Sequence, residues 1–123
     1  MTNVLPKLKK LQEEINNQYS IRVIDFEPCL YRDFGNGFNV EISGCNTKRR
    51  KTKATIYLWF GENCGSCVLV KTLRDVERTA SAISNATETL FTFSQKLIEQ
   101  GYNNYNKLWE RHISEADKEG KNE

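Results

Sequence analysis

An Asn-Gly pair, Asn36-Gly37, is the feature that most constrains how this chain folds. Asn-Gly is the strongest short-range hairpin signal, because a type I′ turn needs positive φ at both central positions. The pair separates CLYRDF from FNVEIS, two stretches that read as strands. A turn centred on the pair places Arg32 opposite Glu41, and their opposite charges favour this register. We therefore predict a β-hairpin in which paired residue numbers add up to 73.

The segments on either side of this hairpin predict a helix and two further strands. Residues 4–17 have apolar side chains at spacings of four, three and four, which indicates an amphipathic helix. Residues 20–27, SIRVIDFE, read as a strand that Pro28 ends or bends. Residues 54–61, ATIYLWFG, are the most strand-like stretch of the chain. The apolar positions of the helix are Val4, Leu8, Leu11 and Ile15.

The C-terminal half has a helical rhythm of apolar residues. Residues 68–100 predict one long helix that Gly101 ends, and residues 103–116 predict a short terminal helix. A helix of about 30 residues is about 45 Å long, so we expect part of it to project or to pack on a second copy of the chain. The predicted fold is thus one α+β domain over residues 1–116, with a flexible tail at 117–123.

Charge is concentrated in one loop. The chain has 123 residues, which suits a single domain, and 18 basic residues against 16 acidic ones. Five of the basic residues fall within residues 48–53, so the rest of the chain is slightly acidic. This balance argues against a general polyanion binder and indicates one polar basic loop at residues 46–53. The five residues are Lys48, Arg49, Arg50, Lys51 and Lys53.

The hydropathy pattern indicates a cytoplasmic protein. No apolar run approaches the ~18 residues that a membrane span needs. The N-terminal residues MTNVLPKLKKLQEE contain no long apolar stretch of the kind that secretory signals have. We therefore expect a location in a bacterial cytoplasm, where paired cysteines are more often metal ligands or redox groups than structural disulfides.

The four cysteines predict a structural zinc site. Cys64 and Cys67 form a CxxC after the strand 54–61, and Cys29 and Cys45 are neighbours at the open end of the predicted hairpin. The loop 46–53 is long enough for the chain to run back, so that both pairs could meet. Four thiolates favour Zn²⁺, or iron in a rubredoxin-like site, and leave no coordination position open, which makes the site structural rather than catalytic. The alternative is that the cysteines are small buried hydrophobic residues without a metal. If Cys45 faces away, His112 is the obvious substitute ligand.

The segment TIYLWFGENCGSCVLVKTL also resembles the active-site segment of thioredoxins, in which a hydrophobic strand and a Trp precede a CGxC that opens a helix. Trp59, Cys64, Gly65 and Cys67 match this outline over about 20 residues. The resemblance implies thiol–disulfide exchange through the CxxC. The chain has prolines only at positions 6 and 28, so the cis-proline that faces the CxxC in that fold has no counterpart.

Interaction is favoured over catalysis, because the sequence contains no P-loop, GxSxG, HExxH or dinucleotide-binding fingerprint. The basic loop could bind an acidic protein surface or, with stacking on aromatic faces such as Tyr31, Tyr57 and Trp59, a nucleic acid. A solvated loop is the third alternative. The second candidate surface is an aromatic stripe in the C-terminal segment, formed by Tyr102, Tyr105 and Trp109.

Small size, an Asn- and Lys-rich composition, the lack of catalytic motifs and an α+β build together resemble the phage-encoded anti-CRISPR proteins that bind Cas9 in type II systems. That group has no shared motif, so the resemblance assigns no residue. It implies a cytosolic inhibitor that blocks DNA loading or cleavage by a Cas9-type effector through protein–protein contact. We therefore expect a zinc-stapled interaction module, with a zinc-containing nucleic-acid-binding module and a thiol–disulfide oxidoreductase as alternatives.

Overall fold

The computed structural model describes residues 3–15, 18–61 and 67–102. Helix α1 spans Pro6–Ile15 and helix α2 spans Ala80–Leu97, which continues into a π-helical turn over Ile98–Tyr102. Between the helices lie five strands: β1 (Ser20–Ile24), β2 (Glu27–Asp33), β3 (Phe38–Ser43), β4 (Ala54–Phe60) and β5 (Val68–Val76).

The strands form a single antiparallel meander in the order β1-β2-β3-β4-β5. Each strand pairs with the one that follows it in the chain, which is the simplest connectivity for antiparallel strands joined by short loops. The predicted α+β class is confirmed. The strand predicted at 54–61 is confirmed as β4, and the helix predicted at 4–17 is confirmed as the shorter α1.

The core lies on the face of the sheet that the two helices cover. Strand β4 alternates strictly between buried and half-buried residues, as a strand with one face on the core does. Helix α1 contributes Leu8 and Leu11, and α2 contributes Ile83 and Leu90. The sheet contributes Leu30, Phe38, Val40, Ile42, Ala54, Ile56, Leu58 and Phe60.

The predicted hairpin forms, but its predicted register is wrong by one residue. Tyr31 lies opposite Glu41 and Arg32 opposite Val40, so paired numbers add up to 72. The turn has three residues rather than two, because Gly35 adopts a positive φ of 78° in addition to the 94° of Gly37. A shift of one residue reverses the face on which each side chain lies. Arg32 therefore faces α2, where it pairs with Glu88 at 3.3 Å.

The strand predicted over residues 20–27 is in fact interrupted by a tight turn. β1 ends at Ile24, Asp25 and Phe26 form the turn, and β2 begins at Glu27. Asp25 and Phe26 have φ values of 50° and 66°, the signs that a type I′ turn requires. The sequence signal was hidden because neither residue is a glycine.

The prediction of one long helix over 68–100 is wrong for its first third. Residues 68–76 form β5, which pairs along β4 and is broken by two register shifts. In a segment of nine residues, apolar spacing alone does not distinguish a strand from a helix. Residues 68–76 form a strand because they pair with the edge of β4 that β3 leaves free. Helix α2 begins after Thr79, whose hydroxyl accepts a hydrogen bond from the Ala82 amide at 3.1 Å.

The C-terminal end of α2 also differs from expectation. The helix does not stop at Gly101, because its π-helical turn runs through that residue. The predicted helix at 103–116 and the tail at 117–123 lie outside the described residues. With 18 residues α2 is about 27 Å long, so the length argument for a dimer through a projecting helix no longer holds.

Candidate partner-binding site

One end of the sheet collects the features that have no role in the core. We call it the loop end: it comprises the Asp25-Phe26 turn, the loop 44–53 and the segment 77–79 that leads into α2. The carboxylate of Glu27 accepts a hydrogen bond from the Gly44 amide at 2.6 Å and joins the turn to the loop. The start of α1 lies at the same end, because the Asn46 side-chain oxygen accepts a hydrogen bond from the Leu5 amide at 2.8 Å.

The predicted basic loop is present and is held in place by an arginine outside it. The Arg78 guanidinium donates hydrogen bonds to the backbone carbonyls of Thr47, Arg49 and Arg50. Thr47 in turn accepts a bond from the Arg49 amide at 3.2 Å. The basic side chains of the loop, Lys48, Arg49, Arg50, Lys51 and Lys53, are all exposed. The backbone is therefore fixed while the charges point to solvent.

A cleft of about 390 Å³ lies between this loop, α1 and the segment 77–79. We call it the basic cleft, because six cationic side chains and two carboxylates line it in the described part of the chain. Lys53 pairs with Glu77, and within the described ranges the other ion pair is Arg32–Glu88, far from the cleft. The cations are Lys7, Lys10, Arg50, Lys51, Lys53 and Arg78. The cleft therefore has an uncompensated positive charge.

The turn beside this loop exposes a phenylalanine. Phe26 is 90% exposed although its side chain is large and apolar. Its φ of 66° costs a residue with a Cβ about 1–2 kcal/mol relative to glycine. Val4 at 44% and Val23 at 58% exposure lie at the same end of the molecule. Exposed apolar side chains thus lie at the same end of the molecule as the basic loop.

The aromatic residues proposed for base stacking lie elsewhere. Tyr31, Tyr57 and Trp59 are on the face of the sheet opposite the helices, where Tyr31 and Tyr57 flank Glu41. The Trp59 indole donates to Glu41 at 3.2 Å, and the Arg22 guanidinium lies 3.8 Å from the centroid of the Tyr31 ring. Burial raises the pKa of Glu41. The hydrogen bond from Trp59 acts in the opposite direction, and the nearby carboxylates of Asp25 and Glu27 raise this pKa further. These rings contact their neighbours rather than the basic cleft.

The backbone of Tyr102, the one described position of the predicted aromatic stripe, lies away from the basic loop. Tyr102 follows the C-terminal end of α2, while the basic loop lies beside its N-terminal end. The length of the helix, about 27 Å, separates them. Tyr105, Trp109 and His112 lie outside the described residues. The partner-binding residues predicted from the stripe therefore stay a prediction.

The described cysteines do not share one site. Cys29 and Cys45 are both buried at the loop end, whereas Cys67 directly precedes β5 at the opposite end of the sheet. Strand β3 separates these ends by about 17 Å, because β4 returns antiparallel instead of running alongside β1. Cys64 lies outside the described residues, and no group of three or more metal-ligating side chains occurs among the described ones. Cys29 and Cys45 thus lie apart from Cys67 in this structure, and the predicted four-cysteine zinc site stays a prediction.

The two thiols buried at the loop end are poor nucleophiles. Burial raises the pKa of Cys29 to about 12, with Glu27 and Glu41 adding to the effect. Burial also raises the pKa of Cys45, to about 11, against the lowering effect of Arg78. Cys67 leads into a strand and not into a helix, so the helix N-terminus that activates thioredoxin thiols is missing there.

Sequence reasoning missed four residues of the loop end. Lys7 and Lys10 fall at polar positions of the predicted amphipathic helix, and Arg78 falls inside the predicted long helix. Phe26 fell inside a predicted strand. The pattern Arg78-Thr79 before the apolar rhythm of α2 is a helix N-cap signal that would have placed Arg78 at the junction. No local signal marks Phe26 as a turn residue.

The fold and this site define a small α+β protein with a charged end and no visible reaction centre among the described residues. Comparison with protein-family models, with curated proteins and with solved structures finds no match. No helix in the described ranges is long and apolar enough to cross a membrane.

Proposed function

We propose that this protein is a non-catalytic interaction module that binds a larger protein through its loop end. The observation that carries the proposal is the basic loop, which Arg78 fixes by three hydrogen bonds to backbone carbonyls. A loop held in one conformation loses less entropy on binding than a mobile one, so its charges are available for recognition.

Charge indicates the chemistry of the partner. Lys7, Lys10, Arg50 and Lys51 line one cleft without an ion pair among the described residues. Like charges that are held together repel each other in the unbound protein, and an acidic surface relieves that repulsion. The expected partner therefore presents clustered carboxylates to the loop end.

A protein partner is favoured over a nucleic acid. A single-strand binding surface combines cationic side chains with aromatic platforms along one groove. Here Tyr57 and Trp59 lie on the sheet face opposite the helices, while α1 forms one wall of the basic cleft.

The resemblance to anti-CRISPR proteins makes a Cas9-type effector the first partner to test. In this proposal the loop end occupies an acidic surface of the effector and blocks its DNA loading or cleavage. The proposal does not require the zinc ion. Elemental analysis of the same preparation tests zinc separately, and one equivalent of tightly bound metal would restore the hypothesis of a structural site.

The experiment compares two variants with the same change of charge. Arg50→Glu/Lys51→Glu removes the loop-end cations, and Lys9→Glu/Lys96→Glu changes exposed cations outside the basic cleft. Binding to a guide-loaded Cas9-type effector is measured by interferometry at about 50 mM and about 200 mM salt. We expect the first variant to bind about tenfold more weakly or worse, and the second to bind within about threefold of the wild type.

Three results would overturn the proposal. The first is equal loss in both variants, which would indicate long-range attraction and no specific surface. The second is no effect of either variant, which would place the interface elsewhere. The third is binding of a labelled DNA or RNA 20-mer with a steep salt dependence in the absence of effector binding, which would favour the nucleic-acid alternative.

A further inference from the structure

We infer that Phe26 is the anchoring side chain of the loop end and inserts into an apolar pocket of the protein partner, next to the acidic surface that faces the basic loop. This inference rests on the proposed function and adds to it the residue that supplies most of the apolar contact. It starts from a conflict between two local preferences at one position, the conformation of the backbone and the burial of the side chain.

The backbone at Phe26 takes a conformation that favours glycine. With φ at 66°, it occupies the second central position of the turn, where Gly is the usual residue of a type I′ hairpin. A Cβ is disfavoured in this region, and an aromatic side chain gains nothing from it. The sequence Asp25-Phe26 therefore stands where Asp-Gly would form the same turn with less strain.

The side chain does not offset this strain inside the fold. Phe26 is 90% exposed and is absent from the core cluster of the described residues. Five other phenylalanines in the described ranges make ring–ring or cation–ring contacts, and Phe26 makes none of these. Strained residues that persist without a folding role are found at binding sites.

The surroundings of Phe26 match the composition of a protein interface. Val4 and Val23, at 44% and 58% exposure, add apolar surface at the loop end, and the basic loop follows Gly44, which bonds Glu27 next to Phe26. Protein interfaces combine an aromatic anchor that becomes fully desolvated with polar and charged residues around it. Asp25 and Glu27 flank Phe26 in the turn, so the carboxylates expected on the partner face the basic loop and do not border the ring itself.

The test uses a substitution with opposite expected effects on folding and on binding. Phe26→Gly creates an Asp-Gly turn, so we expect its melting temperature to rise by a few degrees. We expect its affinity for the guide-loaded Cas9-type effector to fall about tenfold or more. Phe26→Leu keeps an apolar side chain at the same backbone conformation and should retain more affinity than Phe26→Gly. Leu69→Thr removes another exposed apolar side chain, 47% exposed and near the opposite end of the sheet, and serves as the matched control.

The outcomes separate this inference from the proposed function. If Phe26→Gly binds as the wild type does while Arg50→Glu/Lys51→Glu binds weakly, the anchor is overturned and the proposed function stands. If the wild type does not bind the effector, both are overturned. A lower melting temperature for Phe26→Gly would show a folding role and contradict the inference. Sedimentation of the wild type as a dimer that Phe26→Gly dissociates would assign the ring to a second copy of this chain.

Discussion

Two turns of the same sheet follow opposite rules. The turn between β2 and β3 has glycines at both positions with positive φ, Gly35 and Gly37. Its central residue, Asn36, accepts a hydrogen bond from the Phe38 amide at 3.1 Å and donates to Ser94 and Gln95 on α2 at 3.0 and 2.8 Å. The turn between β1 and β2 has Phe26 at a positive φ and leaves it exposed.

The difference shows how stability and recognition are divided over the molecule. The Asn36 turn agrees with the local preferences of its residues and fastens the sheet to α2. At the loop end, Phe26 has a backbone conformation that favours glycine, and several cations lie close together without an ion pair among the described residues. This contrast supports the proposal that the loop end serves binding, because departures from local preference are expected at functional sites.

The largest expected effect tests whether the base of the basic loop requires a glycine at position 44. Gly44 has a φ of 87°, and a Cβ at this position would lie 2.6 Å from the backbone oxygen of Lys53. Gly44→Ala must therefore move the base of the basic loop. We expect a loss of about 2 kcal/mol or more in the free energy of unfolding, measured by urea denaturation. A loss below about 0.5 kcal/mol would show that the loop base is pliable.

The next effect tests the clasp at the Asn36 turn. Asn36→Ala removes one acceptor and two donor interactions of a half-buried side chain. We expect a loss of about 1–2 kcal/mol in urea denaturation. Asn36→Asp keeps the acceptor for the Phe38 amide and loses both donors, so it should fall between the wild type and Asn36→Ala. Equal stability of all three would mean that the clasp does not contribute.

The elements predicted correctly from the sequence are those with long, unambiguous patterns. Residues 54–60 alternate over a full strand, and Leu8 and Leu11 follow a helical repeat with charged residues between them. The basic loop was predictable because five cations in six positions cannot be buried. For these segments local conformational preference and tertiary packing favour the same structure, so the sequence pattern is sufficient to predict it.

The incorrect predictions arose where contacts between residues distant in sequence determine the secondary structure or the strand register. The hairpin register depends on Gly35 as well as on the Asn-Gly pair, and the one-residue error followed from counting only the latter. Residues 68–76 form a strand because β4 offers an unpaired edge, which no local pattern shows. The predicted zinc site also depends on distant contacts, and it stays a prediction because Cys64 lies outside the described residues. In the structure β4 pairs antiparallel with β3 across the loop 44–53, which leaves Cys29 and Cys45 at the opposite end of the sheet from Cys67.

A matched pair of substitutions sharpens the comparison of the two turns. Gly35→Ala adds a Cβ at a φ of 78° with no atom within 4 Å, so its effect is conformational alone. We expect it to lower the free energy of unfolding by about 1 kcal/mol, and Phe26→Gly to raise it by about the same amount. Both are exposed turn positions, so urea denaturation of the two variants compares them directly. Changes of the same sign would show that the strain at Phe26 is compensated inside the fold.

The smallest effect concerns the two thiols buried at the loop end. The pKa of Cys29 is raised to about 12 and that of Cys45 to about 11, from 9.0 for an exposed thiol. A group whose pKa is raised on folding stabilises the native state below its unfolded pKa and loses that contribution as the pH rises through the window up to its folded pKa. Stability should therefore begin to fall near pH 9 and continue to fall toward pH 11.

At the start of this window the expected loss is modest, because only half of the unfolded-state thiols are ionised at the pH of their own pKa. This corresponds to about 0.4 kcal/mol for each thiol at pH 9. Cys45→Ala should lower stability at every pH through the cavity it leaves, but it should also flatten the alkaline decline relative to the wild type. All other side chains are the same in both proteins, so the difference between the two slopes isolates the thiol. Parallel slopes would mean that Cys45 is as accessible to hydroxide in the native state as in the unfolded chain, and the loop end would then be looser than the hydrogen bonds from Arg78 imply.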